Sequence, residues 1–129
     1  MAVLRIDEVA ATPPTPGALA DVGVGVLKVQ GEVDLDTVKQ LADKLNEVVE
    51  KRGIHRLILD MAETQYVNST ALATLVKFSE KCREKGGGIA LANTVPRVKL
   101  VFEMLGLLYF FKFFDSVDKA RAAFQAGKK

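Results

Sequence analysis

Beyond Val22 the apolar residues of this 129-residue chain change spacing repeatedly, from two apart to three or four apart, and that alternation admits few folds. Val22 to Val29 alternates valine or leucine with glycine or lysine, the period of a half-buried strand. From Asp34 or Asp36 onward, with an aspartate as N-cap, the pattern turns helical. Val38, Leu41, Leu45, Val48 and Val49 share one face, while Lys39, Asp43, Lys44 and Glu47 share the other. Gly53 punctuates the end of that helix. Leu57-Ile58-Leu59 reads as a central strand buried on both sides. A loop from Met61 to Asn68 leads to a second helix, capped by Asn68 or Ser69, which runs to about Lys85 and stops at Gly86-Gly87-Gly88.

The alternation then continues. Ile89 to Ala92 is a short buried strand, and Pro96 is a natural first helical residue. Val98, Val101, Phe102 and Leu105 form the inward face of that third helix, which Gly106 stops. Phe110 to Phe114 is the last strand candidate. Ser116 caps a final helix through Phe124, with Val117, Ala120 and Phe124 turned inward. Upstream, Val3 to Val9 alternates loosely as a first strand, and Thr12-Pro13-Pro14-Thr15-Pro16-Gly17 breaks regular structure. Gly23 and Gly25 place the Val22–Val29 strand near an edge of the sheet. The expected fold class is α/β, a mixed and mostly parallel sheet of about five strands packed with about four helices. One domain is expected over 1–129: an N-terminal strand and Pro-rich loop at 1–21, a core at 22–126 and a tail at 127–129.

Composition narrows the function. Charged residues make up 26% and the net charge is only +2, with no Lys/Arg stripe interleaved with aromatics, so nucleic acid is a poor partner. Cys82 is the only cysteine, which excludes an internal disulfide and a cysteine metal cluster. Its helical spacing from Leu72, Leu75 and Ser79 marks it as a packed side chain. Met1 to Val9 carries Arg5, Asp7 and Glu8 and is no signal peptide. The run Leu107 to Phe114 is interrupted by Lys112 and falls far short of the roughly 20 residues a membrane helix needs. A cytoplasmic protein without membrane insertion, tightly held transition metal or cofactor is expected.

The chemistry centres on Asn68-Ser69-Thr70, at the mouth of a helix just past the carboxyl end of a sheet strand. A helix N-terminus offers unpaired N–H groups and about half a positive charge, so a phosphate on Ser69 can be held there. A hydrolase built on Ser69 lacks a base. His55, the one histidine, begins the strand whose far end leads toward Ser69, and sits at the opposite edge of the sheet. Gly86-Gly87-Gly88 follows a helix and precedes a strand, the reverse of a phosphate loop, and reads as a C-cap turn. Asp34, Asp36, Asp60 and Glu63 lie at strand-to-helix crossings, either as caps and solvated charges or gathered as a Mg²⁺ or acid–base cluster. Leu107 to Phe114 reads as a strand sandwiched between helices; an exposed aromatic patch for self-association or docking is the alternative.

Several of these segments together resemble a known family. They are Gly31-Glu32-Val33-Asp34, Leu57-Ile58-Leu59-Asp60-Met61 with the interval to Asn68-Ser69-Thr70-Ala71-Leu72, the Pro96 helix start, and Phe102-Glu103-Met104-Leu105-Gly106-Leu107. From Val24 to Phe124 the chain is similar to the STAS domain of bacterial anti-sigma factor antagonists. The family usually writes its switch as Asp-Ser-Ser-Gly-Leu, so Asn68 stands for the aspartate and Ala71 for the glycine. The resemblance implies a non-enzymatic binding switch, with Ser69 as phosphorylation site and Thr70 as second choice. Asp34, Asn68, Ser69, Thr70 and Ala71 would face the partner. That partner would be an anti-sigma factor serine kinase, and a serine phosphatase would restore the binding form, so that sigma-factor-dependent transcription is regulated. STAS domains also occur as non-phosphorylated subunits of lipid-transport complexes and as scaffolds of stress-signalling assemblies.

Overall fold

The computed structural model describes residues 4–12 and 24–125. Five strands form one sheet in the order β1-β2-β3-β4-β5: Leu4–Thr12, Val24–Gly31, Arg56–Glu63, Gly88–Ala92 and Lys112–Phe114. β1 pairs antiparallel with β2, and every other pairing is parallel. The helices are α1 (Val38–Leu45), α2 (Ser69–Glu84), α3 (Pro96–Met104) and α4 (Val117–Gln125). This is the expected α/β class. Residues 13–17 of the Pro-rich segment, Gly23 and the tail at 127–129 lie outside the described residues.

Period-two alternation divides the sheet into two apolar faces. Leu27, Val29, Leu57, Leu59, Ile89 and Leu91 belong to one core with Leu41, Leu45, Leu72, Leu75, Val98 and Phe102, contributed by α1, α2 and α3. Val24, Val26, Ile58, Ala90 and Ala92 face the other way and meet Ala120, Val117 and Phe124 of α4. The small side chains of β4 on this second face suit the close approach of Ala120. Arg56 fastens the far end of α4, its Nη1 donating to the Phe124 carbonyl at 2.9 Å.

Three local expectations change. β2 stands second in the sheet, near the edge as expected, but the cause attached to its glycine changes. A Cβ on Gly25 would stand 3.2 Å from Ile54 Cγ2 and 3.3 Å from Leu57 Cδ1, so the glycine makes room for core side chains. The first helix begins at Val38, after a turn, and no aspartate caps it. Asp34 instead accepts from the Asp36 N–H through Oδ1 at 3.0 Å, while the Thr37 hydroxyl donates to the Glu32 carbonyl at 2.8 Å and accepts from the Asp34 N–H at 2.9 Å. Short polar side chains prefer such local bonds to helix interiors. α1 then widens into a π-helical segment, Asn46–Lys51, which carries the consecutive Val48 and Val49 into the core.

The third change concerns the aromatic run. Only Lys112–Phe114 is strand, at the sheet edge beside β4, and Leu108–Phe110 is a 3₁₀ turn. The Ser79 hydroxyl holds that turn by donating to the Phe110 carbonyl at 3.0 Å. Phe111 is buried, while Phe110, Phe113 and Phe114 are half-buried, so the run is neither a sandwiched strand nor a bare patch. Phe102 is the pivot of its packing, with Phe111 and Phe113 edge-on at ring-centre distances of 5.3 and 5.5 Å. On α3, Leu105 turns out to solvent, contrary to the inward placement read from its spacing. At the end of α2, Gly86 adopts φ +86°, and a Cβ on Gly87 would fall 1.8 Å from the His55 carbonyl oxygen, so this C-terminal turn demands glycine at both positions.

Phe102→Ala is expected to lower the unfolding free energy by about 3–5 kcal/mol, seen as an earlier urea midpoint with unchanged slope. Phe110→Ala, at a half-exposed position, should lose clearly less. A second expectation concerns acid. Arg52 forks onto Glu8 with contacts of 2.7 and 2.6 Å, tying β1 to the end of the π-helical segment. Those hydrogen bonds hold the Glu8 carboxyl below its ordinary value of 4.5, although burial opposes them. The stabilisation is therefore complete above the unfolded value and fades as pH falls through the lower folded value. Glu8→Gln should flatten that part of the acid-unfolding curve and leave the neutral-to-alkaline part unchanged in slope.

Candidate functional site

Parallel strands deliver their outgoing loops to one end of a sheet, and here those loops are laced together. Val33 and Val67 form an isolated parallel bridge that continues the β2–β3 pairing beyond the strands. The Val33 N–H donates to the Tyr66 carbonyl and the Asn68 N–H to the Val33 carbonyl, both at 2.9 Å. The Thr64 hydroxyl, fully buried, donates to the Val29 carbonyl at 2.8 Å. On the other side, Asp60 Oδ1 accepts from Asn93 Nδ2 at 3.2 Å. Asn93 has φ +58°, a conformation asparagine tolerates better than most residues. The approach to α2 is thus held by the loop after β2, and the end of β3 by the loop after β4. The expected loop from Met61 is shorter than read, because β3 runs to Glu63 before this lacing begins.

Asn68 caps α2. Its backbone is extended, and its side-chain oxygen accepts the Ala71 N–H at 2.7 Å. The first intrahelical bond runs from the Leu72 N–H to the Asn68 carbonyl. Among the described residues no acceptor meets the N–H groups of Ser69 and Thr70. Both of those side chains are exposed. Neutral asparagine therefore does the capping work open to aspartate while adding no charge beside the Ser69 hydroxyl.

The residues read as facing a partner divide by burial. Ser69 and Thr70 stand in solvent, and Asp34 and Asn68 are half-buried on the two bridged loops. Ala71 is fully buried, so its side chain serves the core under the first turn of α2 and offers no contact surface. Two residues passed over in the sequence join the site: Leu35, 79% exposed, and Tyr66, 49% exposed, project from the bridged loops. Their signal was local, since Leu35 is an apolar residue between two aspartates and Tyr66 is an aromatic in a polar loop.

The carboxylates do not gather. Asp34 shapes its own turn, Asp60 binds Asn93, and Glu63 meets Lys28 and Gln30, each at 3.1 Å. Among the described residues no three His, Cys, Asp or Glu side chains stand close enough to hold a metal ion. His55 precedes β3, whose eight residues span about 26 Å at roughly 3.3 Å each, so the imidazole lies at the opposite end from Ser69. Cys82 is buried within α2, where loss of solvent and the Glu50 charge push its thiol up to about 12, leaving it inert.

Residues 16–120 match the STAS domain family. The chain belongs to that family. BtrV of Bordetella bronchiseptica, named for the anti-sigma factor antagonists, is 31% identical over 103 residues, 80% of this chain and 88% of its own. The structure of the anti-sigma factor antagonist SpoIIAA in its unphosphorylated form superposes with a TM-score of 0.74 at 16% identity, over 96% of this chain and 97% of that one. The phosphorylated form of the Bacillus SpoIIAA gives 0.65 at 16% identity, over 94% and 98%. These structural likenesses establish the shared STAS fold. Among the described residues of this STAS domain, no helix is long and apolar enough to cross a membrane.

The cap can be tested directly. Asn68→Ala should destabilise the domain by about 1 kcal/mol in chemical denaturation, because the Ala71 N–H loses its acceptor. Asn68→Asp should keep the cap and match or slightly exceed the wild-type stability at neutral pH, since a carboxylate favours a helix N-terminus.

Proposed function

We propose that this STAS domain is an anti-sigma factor antagonist whose binding to an anti-sigma factor serine kinase is gated by phosphate on Ser69. The observation that carries the reading is the exposed Ser69 hydroxyl at a capped helix start whose first two N–H groups are unused. The names borne by its relatives support the antagonist role, and the match to SpoIIAA in both states supports a fold that accepts the modification. In this scheme the unphosphorylated domain occupies the kinase and releases a sigma factor, and a serine phosphatase restores the binding form in the cytoplasm. In this reading the domain acts by binding and leaves catalysis to its partners, which fits a Ser69 hydroxyl that is hydrogen-bonded to no side chain among the described residues.

The binding surface of this proposal is Asp34, Asn68, Ser69 and Thr70, joined by Leu35 and Tyr66. Exposed apolar side chains beside a small hydroxyl suit an interface that must shed water. A phosphate adds about −1.5 to −2 charges to that surface at neutral pH. The N–H groups of Ser69 and Thr70 can receive it, so the fold survives and the penalty falls on the interface.

Ser69→Asp is expected to weaken kinase binding at least about tenfold, equivalent to roughly 1.4 kcal/mol. Ser69→Ala should bind normally and resist phosphorylation, and Thr70→Ala should keep both behaviours. Calorimetric titration against the kinase, with phosphosite mapping after incubation with ATP, checks all three. Wild-type affinity for Ser69→Asp, or loss of phosphorylation in Thr70→Ala alone, would assign the switch to another residue.

A further inference from the structure

At the other end of the sheet, where β3, β4 and β5 begin, the molecule holds a cavity of about 220 Å³. α4 forms one wall, the 3₁₀ turn and β5 another, and the backbone of Gly86, Gly87 and Gly88 a third. Phenylalanines 110, 111, 114 and 124 line its interior. Three cations also line it, Arg56, Arg83 and Lys112, and among the described residues no carboxylate does. Two of these are positioned by contacts. Arg56 is fixed by its bond to the Phe124 carbonyl, and the Arg83 guanidinium stands 5.2 Å over the Tyr109 ring, itself part of the lining.

We propose that this cavity is a binding site for an amphipathic acid, a medium-chain aliphatic carboxylate whose chain lies against the phenylalanines and whose head meets Arg83 and Lys112. Each part of that description follows from the lining. The apolar interior gains by losing contact with water, and an inorganic anion would leave it wet. Three positive side chains without an opposing carboxylate select an anion, and the planar guanidinium fork matches a carboxylate. The volume lies just below the roughly 300–1,000 Å³ of drug-sized sites, so it takes one small ligand and excludes a folded peptide element. Exposed Arg83 and Lys112 hold a head group at the rim, while the half-buried Arg56 keeps α4 in place as a wall. The site is separate from Ser69. The two lie at opposite ends of α2, whose 16 residues span about 24 Å at roughly 1.5 Å each.

The test is titration of the full chain with decanoate below its micellar range, followed by amide chemical shifts and calorimetry. Saturable one-site binding is expected, with shifts at Gly86–Gly88, Phe111 and Ala120 and none at Ser69. Combined Arg83→Gln and Lys112→Gln should weaken it at least about fivefold, roughly 1 kcal/mol. Both positions are exposed, and circular dichroism should confirm an unchanged fold. Ala123→Trp, introduced from an exposed position on α4, should fill the cavity and abolish binding. Decyltrimethylammonium, with a similar chain and the opposite charge, should bind at least about tenfold more weakly. Absence of saturable binding, equal affinity for the cationic amphiphile, or indifference to the paired Gln substitutions would overturn the proposal. Displacement of decanoate by equimolar inorganic phosphate would also overturn it, by showing an ion site with no use for the chain. Ser69→Asp should bind decanoate like the wild type, so this site stands or falls apart from the switch.

Discussion

Leu57, Ile58 and Leu59 are wholly buried, two toward one core and the middle one toward the other, and that two-sided burial of β3 organises everything around it. A strand with no exposed face must be covered by helices on both sides. Three crossover helices supply one cover. Among the described residues only α4 supplies the other, and this nine-residue helix is fastened at its end by Arg56 from the first position of β3 itself. The same strand then carries Asp60 and Thr64 out to the loop end, where they reach across to Asn93 and Val29. A single buried strand thus fixes both the geometry of the loop that leads into α2 and the back wall of the opposite cavity.

α2 connects those two ends. Its first turn offers donors beside Ser69 that are unpaired among the described residues, and its last turn gives way to three glycines, of which Gly87 approaches the His55 carbonyl too closely for any side chain. Leu72, Leu75, Phe78 and Cys82 seat the helix between them in the core. With the helix anchored along its length in this way, a charge placed at Ser69 would fall on the surface and away from the buried face. The physical division is clean: burial sets the position of the hydroxyl, and exposure leaves it available.

Much of this was legible because apolar spacing differs between strands and helices. α2 and α4 carry helical periods, while β3 and β4 are short apolar runs set off by their neighbours, and Asn68, Gly86, Pro96 and Ser116 supply caps and stops that are local chemistry. Where the period is missing, the reading faltered. Leu107 to Phe114 is apolar almost throughout, and an unbroken run contains no information on whether it extends or turns; the Ser79 hydroxyl, 31 residues upstream of its Phe110 acceptor, decides the matter. Asp34 can either cap a helix or close a turn, and the choice depends on Thr37 reaching back to Glu32. Gly25 signalled only nearness to the edge, because its crowding by Ile54 and Leu57 is a tertiary fact. The cavity was invisible for the same reason, since Arg56 and Lys112 are brought together by the parallel register of β3, β4 and β5, and Arg83 joins them from the end of α2.

Asn68 shows how a departure from a family pattern can be weighed by what its atoms do. An aspartate at this position would accept the Ala71 N–H with one oxygen and present a charge with the other, close to any phosphate on Ser69. Asparagine makes the same capping bond at 2.7 Å and carries no charge. The cost of adding a dianion next door is lowered by the missing repulsion, since like charges a few ångströms apart disfavour ionisation of both. Ala71 follows the same logic from the other side. Its methyl group fills a fully buried place beneath the first turn, where a glycine would leave a gap and add backbone freedom. Ala71 thus stiffens the start of α2, and Asn68 caps it without a charge, so a phosphate placed on Ser69 would meet less repulsion from its neighbours.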